Sequence, residues 1–531
     1  MNRLKACWLL LPVVIFLFMV TYVFPFALDD SYISLRYAEN WAHGHGPVFN
    51  PGERAEGYTN FLLVVVEMLL FKLGLKGLLP VKIFSILCGV ALVGIIEYFA
   101  WKRHKSVLLA TCAGLLVGTS APLAFWTVGG LETTLFALLI TCGLILEVLW
   151  LQGDLSDRAC AIKGIILFLA ILTRPDAAIL VGLVIVCDLV NSLQRKSWTG
   201  LLIFLACFSL PTIIYLTWKL QFYGGIIPLP AYAKVPAHNI FYTFMTGAAK
   251  FLSFLAIDLN AIFLVGVLYA LFMAYSRGSL KTRLTDFPFV LVLAVTCAYA
   301  FYLMSLGFAV ASDEAYRYYV PLVPMMTIAL VLVWPKGEFF QHRRGAVIGI
   351  TLVCAMVGIR MFDLWWIWNK DYCFGLATWC FSGKDQVNLL HQASIPAGKW
   401  LKANAKPNDT IVLVDAGAVP YFSKLPTIDV WSITDEKLAK LKRHVMTASS
   451  DAERSLYVEK MKQYVIARKP TFILQDRLQL LQDPRTKDKY ERVGPGRFSS
   501  RRPMFFKNTL NPCVKCRPGP FYVLDLWKRK K

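Results

Sequence analysis

The sequence predicts a polytopic α-helical membrane protein, with about eleven transmembrane helices followed by a C-terminal α/β domain. Three observations predict it. Of the 531 residues, 57% are hydrophobic and only 17% charged, against about 45–50% and about 25% in an ordinary soluble domain. The apolar residues come in long blocks, as bilayer spans require. Beyond about residue 385 the texture changes to charged stretches, short apolar runs and several prolines. Residues 1–370 therefore read as a transmembrane part that carries the chemistry, and 371–531 as a soluble α/β domain on the external side.

Net charge is +22, which in a soluble protein would point to nucleic acid. Here much of it lies in short loops beside apolar segments. Anionic headgroups of the lipid bilayer and an anionic lipid-phosphate substrate suffice as partners, and no nucleic acid is expected. Met1 to Phe26 has a basic start and an apolar run, as a signal peptide does. No small-x-small cleavage site precedes Asp29, so an uncleaved first span is expected.

Apolar segments near 8–26, 78–100, 106–121, 132–151, 163–173, 176–192, 199–219, 246–275, 286–308, 318–334 and 346–368 make up the eleven. Two of them, 163–173 and 176–192, are short for a ~30 Å core, and Thr173-Arg174-Pro175-Asp176 separates them. Alternate loops concentrate basic residues, among them Arg3, Lys102, Arg103, Lys163, Arg195, Lys196 and Arg343. The positive-inside rule then places the N-terminus in the cytoplasm and the C-terminal domain outside. Four cysteines, Cys373, Cys380, Cys513 and Cys516, fall in the external part. Of their three possible pairings, 373–380 with 513–516 is the simplest.

The richest polar stretch follows the first span: Asp29-Asp30-Ser31-Tyr32-Ile33-Ser34-Leu35-Arg36-Tyr37, then Gly44 to Glu53, then Glu56-Gly57-Tyr58-Thr59-Asn60. A carboxylate at mid-membrane costs ~2.5–3.5 kcal/mol, less at the interface, so an adjacent pair needs solvation, a counter-charge or a cation. The bland alternative is an interfacial boundary with Arg36 as local counter-ion. A pair inside a Gly/Pro/Tyr/Asn-rich loop favours function, so Asp29 and Asp30 are the expected catalytic residues, with a divalent cation beside them as a possible cofactor. Later outer loops add Glu132 after Gly129-Gly130, the Arg174 and Asp176 pair, Tyr223, Lys234 and Arg317. Each has a structural alternative, such as a helix start for Glu132 or a neutralised turn for Arg174 with Asp176. All fall on the side opposite the basic loops. Carboxylates, the cations Arg174, Lys234 and Arg317, and the aromatic and amide groups Tyr58, Asn60 and Tyr223 can thus line one external cavity. That inventory suits glycosyl transfer from a lipid phosphate, with cations taking the departing phosphate and a carboxylate taking an acceptor proton.

These motifs also carry a resemblance. Asp-Asp-x-Tyr-Ile-Ser-x-Arg-Tyr, Gly-His-Gly-x-Val-Phe-Asn-Pro-Gly-Glu-Arg and Glu-Gly-Tyr-Thr-Asn resemble the terminal arabinofuranosyltransferases of mycobacteria, which have the GT-C fold, and related bacterial enzymes. Gly130-Leu131-Glu132-Thr133, Leu172-Thr173-Arg174-Pro175-Asp176 and Tyr316-Arg317-Tyr318 are similar to later motifs in the same order. The resemblance implies a polyprenyl-phosphate sugar donor, a pentofuranose such as arabinofuranose, and a cell-envelope glycan or protein acceptor. It implies chemistry on the outer face of a bacterial inner membrane. It also implies net retention, with a carboxylate acting as metal ligand, ion-pair stabiliser or nucleophile. Arg36, Tyr58, Asn60, Glu132, Arg174, Asp176, Tyr223, Lys234 and Arg317 are then the expected substrate-binding residues. One element departs: Pro228-Leu229-Pro230-Ala231-Tyr232-Ala233-Lys234 lacks the Asn and Thr usual there, which leaves sugar and acceptor open. The rival is a transporter or flippase of a lipid-linked or anionic substrate, favoured only by the break at 173–176.

In the C-terminal part, strands are expected at 411–415, 427–431, 471–474 and 521–524, with charged helices between them. Asp415-Ala416-Gly417 at the first strand's end offers either a ligand site or a plain folding role for Gly417.

Overall fold

The computed structural model describes residues 3–233, 240–256, 280–307, 314–334, 343–369, 382–493, 498–499, 523–524 and 526–530, with isolated positions between 267 and 278. Lys234 and the four cysteines expected on the external side, Cys373, Cys380, Cys513 and Cys516, lie outside the described residues.

The first part is helical. α1 (Arg3–Tyr22) is followed by two helices of the first long loop, α2 (Ser31–Ala42) and α3 (Phe61–Lys72). Then come α4 (Leu78–His104), α5 (Val107–Gly118), α6 (Ala121–Thr127), α7 (Thr133–Leu151), α8 (Ala159–Thr173), α9 (Ala178–Arg195) and α10 (Thr199–Tyr223). After them lie α11 (Leu229–Ala233), α12 (Ile240–Phe254), α13 (Leu280–Leu284), α14 (Phe287–Leu306), α15 (Leu322–Val333) and α16 (Arg343–Asn369).

Among the described residues, six helical stretches are long and apolar enough to cross a bilayer, and α5 with α6, bent by 61°, makes a seventh. Length and composition therefore fall short of the expected eleven. At ~1.5 Å per residue, the 15 residues of α8 rise only about 23 Å against a ~30 Å core. The α5–α6 bend has a local cause: Ser120 leaves the helix, caps the next one through Leu123 N–H, and Pro122 follows.

Lys163 is not in a loop, as its place among the basic flanks implied. It is 1% exposed within α8, where its ammonium donates to Glu147 of α7 (2.5 Å) and to both oxygens of Asp188 of α9 (2.8 and 3.0 Å). This triad lies near the end of α7 and the start of α8, away from the α7 start that meets the first long loop.

The C-terminal domain holds a five-stranded sheet in the order β2-β1-β3-β7-β4. β1 (Ile411–Leu413) runs parallel to β2 (Thr427–Asp429) and β3 (Phe472–Ile473), with Val412 opposite Ile428 and Ile473. β7 (Trp527–Arg529) is antiparallel to β3 and to β4 (Tyr490–Arg492). Helices α17 (Gly383–Leu389), α18 (Ile395–Asn404), α19 (Ala418–Ser423), α20 (Glu436–Thr447) and α21 (Asp451–Ala467) complete it. The expected strand near 521–524 is not in this sheet: β6 (Val523–Leu524) pairs with β5 (Phe498–Ser499) instead. β4 and β7 escaped notice because Glu491, Lys528 and Arg529 make them read as polar turns.

The first long loop, residues 23–77, and this domain share one core. Tyr32, Leu35, Tyr37, Phe49 and Tyr58 are buried in the same cluster as Ile411, Leu413, Val419, Tyr421 and Phe472. Tyr32 meets Tyr421 with ring centroids 5.4 Å apart, and Arg468 pairs with Glu53 at 2.5 Å.

Candidate functional site

The chain leaves α1 at Tyr22 and turns through Phe24-Pro25-Phe26. Lys82 fixes that turn by donating to the carbonyls of Phe24 and Phe26, both at 2.6 Å. Asp29 follows. Its Oδ2 accepts from Gly417 N–H (3.0 Å) and its Oδ1 from Ala418 N–H (2.9 Å). A carboxylate of the first loop thus caps α19 of the C-terminal domain, where first-turn N–H groups have no partner within the helix. Gly417 is required here: a Cβ would lie 2.0 Å from the Asp29 carbonyl oxygen. Gly417→Ala is expected to cost at least ~1–3 kcal/mol, the usual range for overpacking. Faster proteolytic release of the C-terminal domain, at unchanged expression, is the measurement that checks it.

Burial and the nearby Asp415 push the Asp29 carboxyl up to about 7, against the two backbone N–H bonds that lower it. Asp415 is itself raised by burial, and Gln475 holds it, donating to Oδ2 at 2.9 Å. Asp30 is exposed and stands at the start of α2 without a side-chain capping bond. Of the two adjacent carboxylates it is Asp29 that caps a helix, and a distant one. Both Asp29 oxygens already take N–H bonds, and among the described residues no three His, Cys, Asp or Glu side chains are grouped to hold a metal ion.

A second centre forms around Glu132, at the start of α7. Gly130 precedes it with φ +79°, and any Cβ there would strike Leu78 and Ser31. One Glu132 oxygen accepts from Arg174 (3.0 Å) and Arg317 (2.8 Å), and the other from Asn60 (3.1 Å). Burial alone would raise this carboxyl; the two guanidiniums overcome it and hold it at about 2. Arg174 reaches Glu132 because the residue before Pro175 is forced extended; its φ and ψ are −155° and 130°. Its Nε donates to Asp176 (3.0 Å), which also accepts from Tyr299 (3.0 Å). Arg317 is presented by a turn in which Ala315 and Tyr316 adopt φ 44° and 57°, a left-handed conformation unfavourable for residues with a Cβ. Buried packing of Tyr316 and a bond from Trp126 to the Ala315 carbonyl (3.0 Å) hold that turn.

The two centres are stitched together, since Leu28 N–H donates to the Gly129 carbonyl (3.2 Å). The other expected residues lie apart. Tyr58 and Tyr223 bond to each other (2.9 Å), and Tyr223 also donates to the Pro47 carbonyl (2.6 Å). Arg36 was expected beside substrate, but it is 4% exposed and all its guanidinium nitrogens are taken. They donate to Phe49, Asn50, Pro420 and Leu425, so Arg36 staples the first loop to the C-terminal domain.

Known proteins resemble this chain in sequence and in fold. Over 224 residues the chain is 31% identical to a terminal β-(1→2)-arabinofuranosyltransferase of Mycobacterium tuberculosis, covering 39% of this chain and 34% of that protein. The enzyme of the same name from Corynebacterium glutamicum is 26% identical over 235 residues, covering 40% and 34%. The chain thus matches about a third of the length of these curated relatives. ArnT from Cupriavidus metallidurans superposes in its apo state with TM-score 0.54 and 14% identity, over 90% of this chain and 94% of that one. Its undecaprenyl phosphate complex gives 0.52 and 12%, over 92% and 96%. The fold is GT-C. Residues 385–512 also match a family described as a domain of unknown function, DUF8728. In this GT-C chain that segment carries Asp415, Gly417 and Ala418, the residues that enclose Asp29.

Asp415 is already legible in the sequence as one of two readings of a strand end, a ligand site or a folding element; one other residue near the site is not. Glu67 was not singled out, although a lone carboxylate inside Phe61-Leu-Leu-Val-Val-Val-Glu67-Met-Leu-Leu-Phe-Lys72 is itself a signal.

Proposed function

We propose that the protein is a glycosyltransferase that moves a sugar, a pentofuranose such as arabinofuranose, from a polyprenyl-phosphate donor to a cell-envelope glycan or protein acceptor. The observation that carries this reading is the stitching of the Asp29 loop to the Arg174–Glu132–Arg317 cluster. In it, the bond between the anomeric carbon and the phosphate oxygen breaks, and the arginines stabilise the charge left on the phosphate. The acceptor hydroxyl forms the new bond and gives its proton to Asp29, whose carboxyl near 7 suits proton transfer at neutral pH. The arabinofuranosyltransferase relatives and the undecaprenyl phosphate bound to ArnT support the sugar and the lipid carrier. Arg36 acts as a positioning residue in this scheme.

The test is to incubate purified protein with a panel of polyprenyl-phosphate sugars. Consumption of one donor with release of polyprenyl phosphate is expected. Movement of intact donor across vesicles without cleavage would favour the flippase alternative. The reading also sets orientation: N-terminus cytoplasmic, site and C-terminal domain outside, in a bacterial inner membrane. A reporter fused after Lys531 is expected to be active only in its external form; a cytoplasmic signal would sink both topology and mechanism.

A further inference from the structure

Helix α3 lies across the first long loop, packed on α2 and on α8. Its twelve residues rise about 18 Å, too little to span a bilayer. Asn60 and Glu67 are seven positions apart, so they share a face, and Leu63 and Val64 on that face are buried. Asn60 turns its amide to Glu132. Glu67 is completely buried, and neither of its oxygens has a hydrogen-bond partner among the described residues. Burial and the nearby Glu132 push its carboxyl well above the ordinary range. Tyr421 of the C-terminal domain also lies within electrostatic reach of it.

A buried polar group without a partner costs about 1–3 kcal/mol, and an apolar helix has no folding use for one. Leucine at this position would continue the apolar face. A carboxyl placed behind the Glu132 cluster therefore calls for a ligand that supplies both a hydrogen-bond donor and an acceptor. Phosphate does not meet this demand, since it is anionic and the arginines face it. A hydroxyl group does.

We infer that Glu67 binds a hydroxyl of the donor sugar and so helps to select the sugar that enters the site. The carboxyl, held in its acid form, donates its proton to one hydroxyl oxygen and accepts from the same or a neighbouring hydroxyl. No covalent step is involved. This inference rests on the transferase reading above and adds a specificity-determining residue to it.

Two variants test it, Glu67→Leu and Glu67→Gln, by thermal unfolding in detergent with and without polyprenyl-phosphoryl arabinofuranose, and by transfer kinetics with the same donor. Without ligand, Glu67→Leu is expected to be at least as stable as wild type. It should lose most of the donor-induced rise in Tm and show a KM for donor raised about tenfold, the equivalent of about 1.4 kcal/mol. Glu67→Gln, which keeps a donor and an acceptor, is expected to stay within about threefold of wild type, as a group that must only hydrogen-bond should. Polyprenyl phosphate without sugar should stabilise all three proteins equally. A fall of several degrees in the unliganded Tm of Glu67→Leu would mean a structural partner and overturn the inference. An equal donor-induced shift in Glu67→Leu and wild type would overturn it while leaving the transferase reading intact. Wild type stabilised by no polyprenyl-phosphoryl sugar would overturn both.

Discussion

Asp29→Asn is expected to reduce sugar transfer at least ~100-fold, the lower range for general-base contributions. The amide cannot take an acceptor proton. It also meets two N–H donors, Gly417 and Ala418, with one acceptor oxygen and one NH2 group, so one of those contacts becomes donor against donor. Transfer should therefore be measured on membranes with matched protein and with proteolysis confirming that the C-terminal domain stays docked. Near-normal activity in docked Asp29→Asn would refute the catalytic role. The pH dependence has a defined sign. Burial raises the folded-state pKa to about 7 from an unfolded value near ~3.9. The folded state then holds more protons between those values, so this group's contribution favours folding at low pH and is lost as pH rises through about 7. Activity should run the other way, rising with pH through about 7 as the carboxylate forms. Product stereochemistry separates the uses of the same residue: inversion fits a base, whereas retention fits Asp29 as a nucleophile or as a stabiliser of an ion pair.

Arg317→Lys is the second large effect, expected to lower kcat/KM by about 10–100-fold. That range corresponds to losing one charged hydrogen bond of about 1.5–3 kcal/mol while keeping the charge. A guanidinium can bond Glu132 and still direct N–H groups to a phosphate, while an ammonium is a point charge without that fork. Normal turnover in a well-folded Arg317→Lys protein would reduce Arg317 to a structural charge. Its partner should behave differently. Glu132→Ala leaves Arg174 and Arg317 side by side, and removing one member of a buried ion pair costs about 3–5 kcal/mol. Stability should fall in that variant, not only turnover. Because the guanidiniums hold Glu132 at about 2, its contribution is present above about pH 4 and is lost only as pH falls toward 2.

Much of this was legible in the sequence because charge at the edge of an apolar segment must find a partner. Glu132, Arg174, Asp176 and Arg317 occupy three separate loops, and the structure brings all four into one network with Asn60. The first three expected strands also fall in the sheet. What could not be read was partnership across the chain. Asp29 meets backbone 388 positions away, and backbone donors leave no mark in a side-chain pattern. The stapling contacts of Arg36 were hidden for the same reason, since three of its acceptors are carbonyls. Left-handed Ala315 and Tyr316 could not be anticipated, because neither residue type favours that conformation.

The Lys163–Glu147–Asp188 triad bears on how the protein is made. Each of these residues lies in a helix entering the bilayer, where a single Lys or Asp at mid-span costs ~2.5–3.5 kcal/mol. α8 has only 15 residues to offset that cost and carries Lys163 within its second turn. Its ammonium is neutralised from both sides, by the helix synthesised before it and by the one synthesised after. These two neighbours remove a cost that α8 would carry alone, one that is smaller toward the helix end than at mid-span. α8 is therefore expected to sit in the bilayer more firmly once α9 is beside it than before, so Asp188→Leu should leave α8 less protected from proteolysis than Glu147 and Asp188 together do.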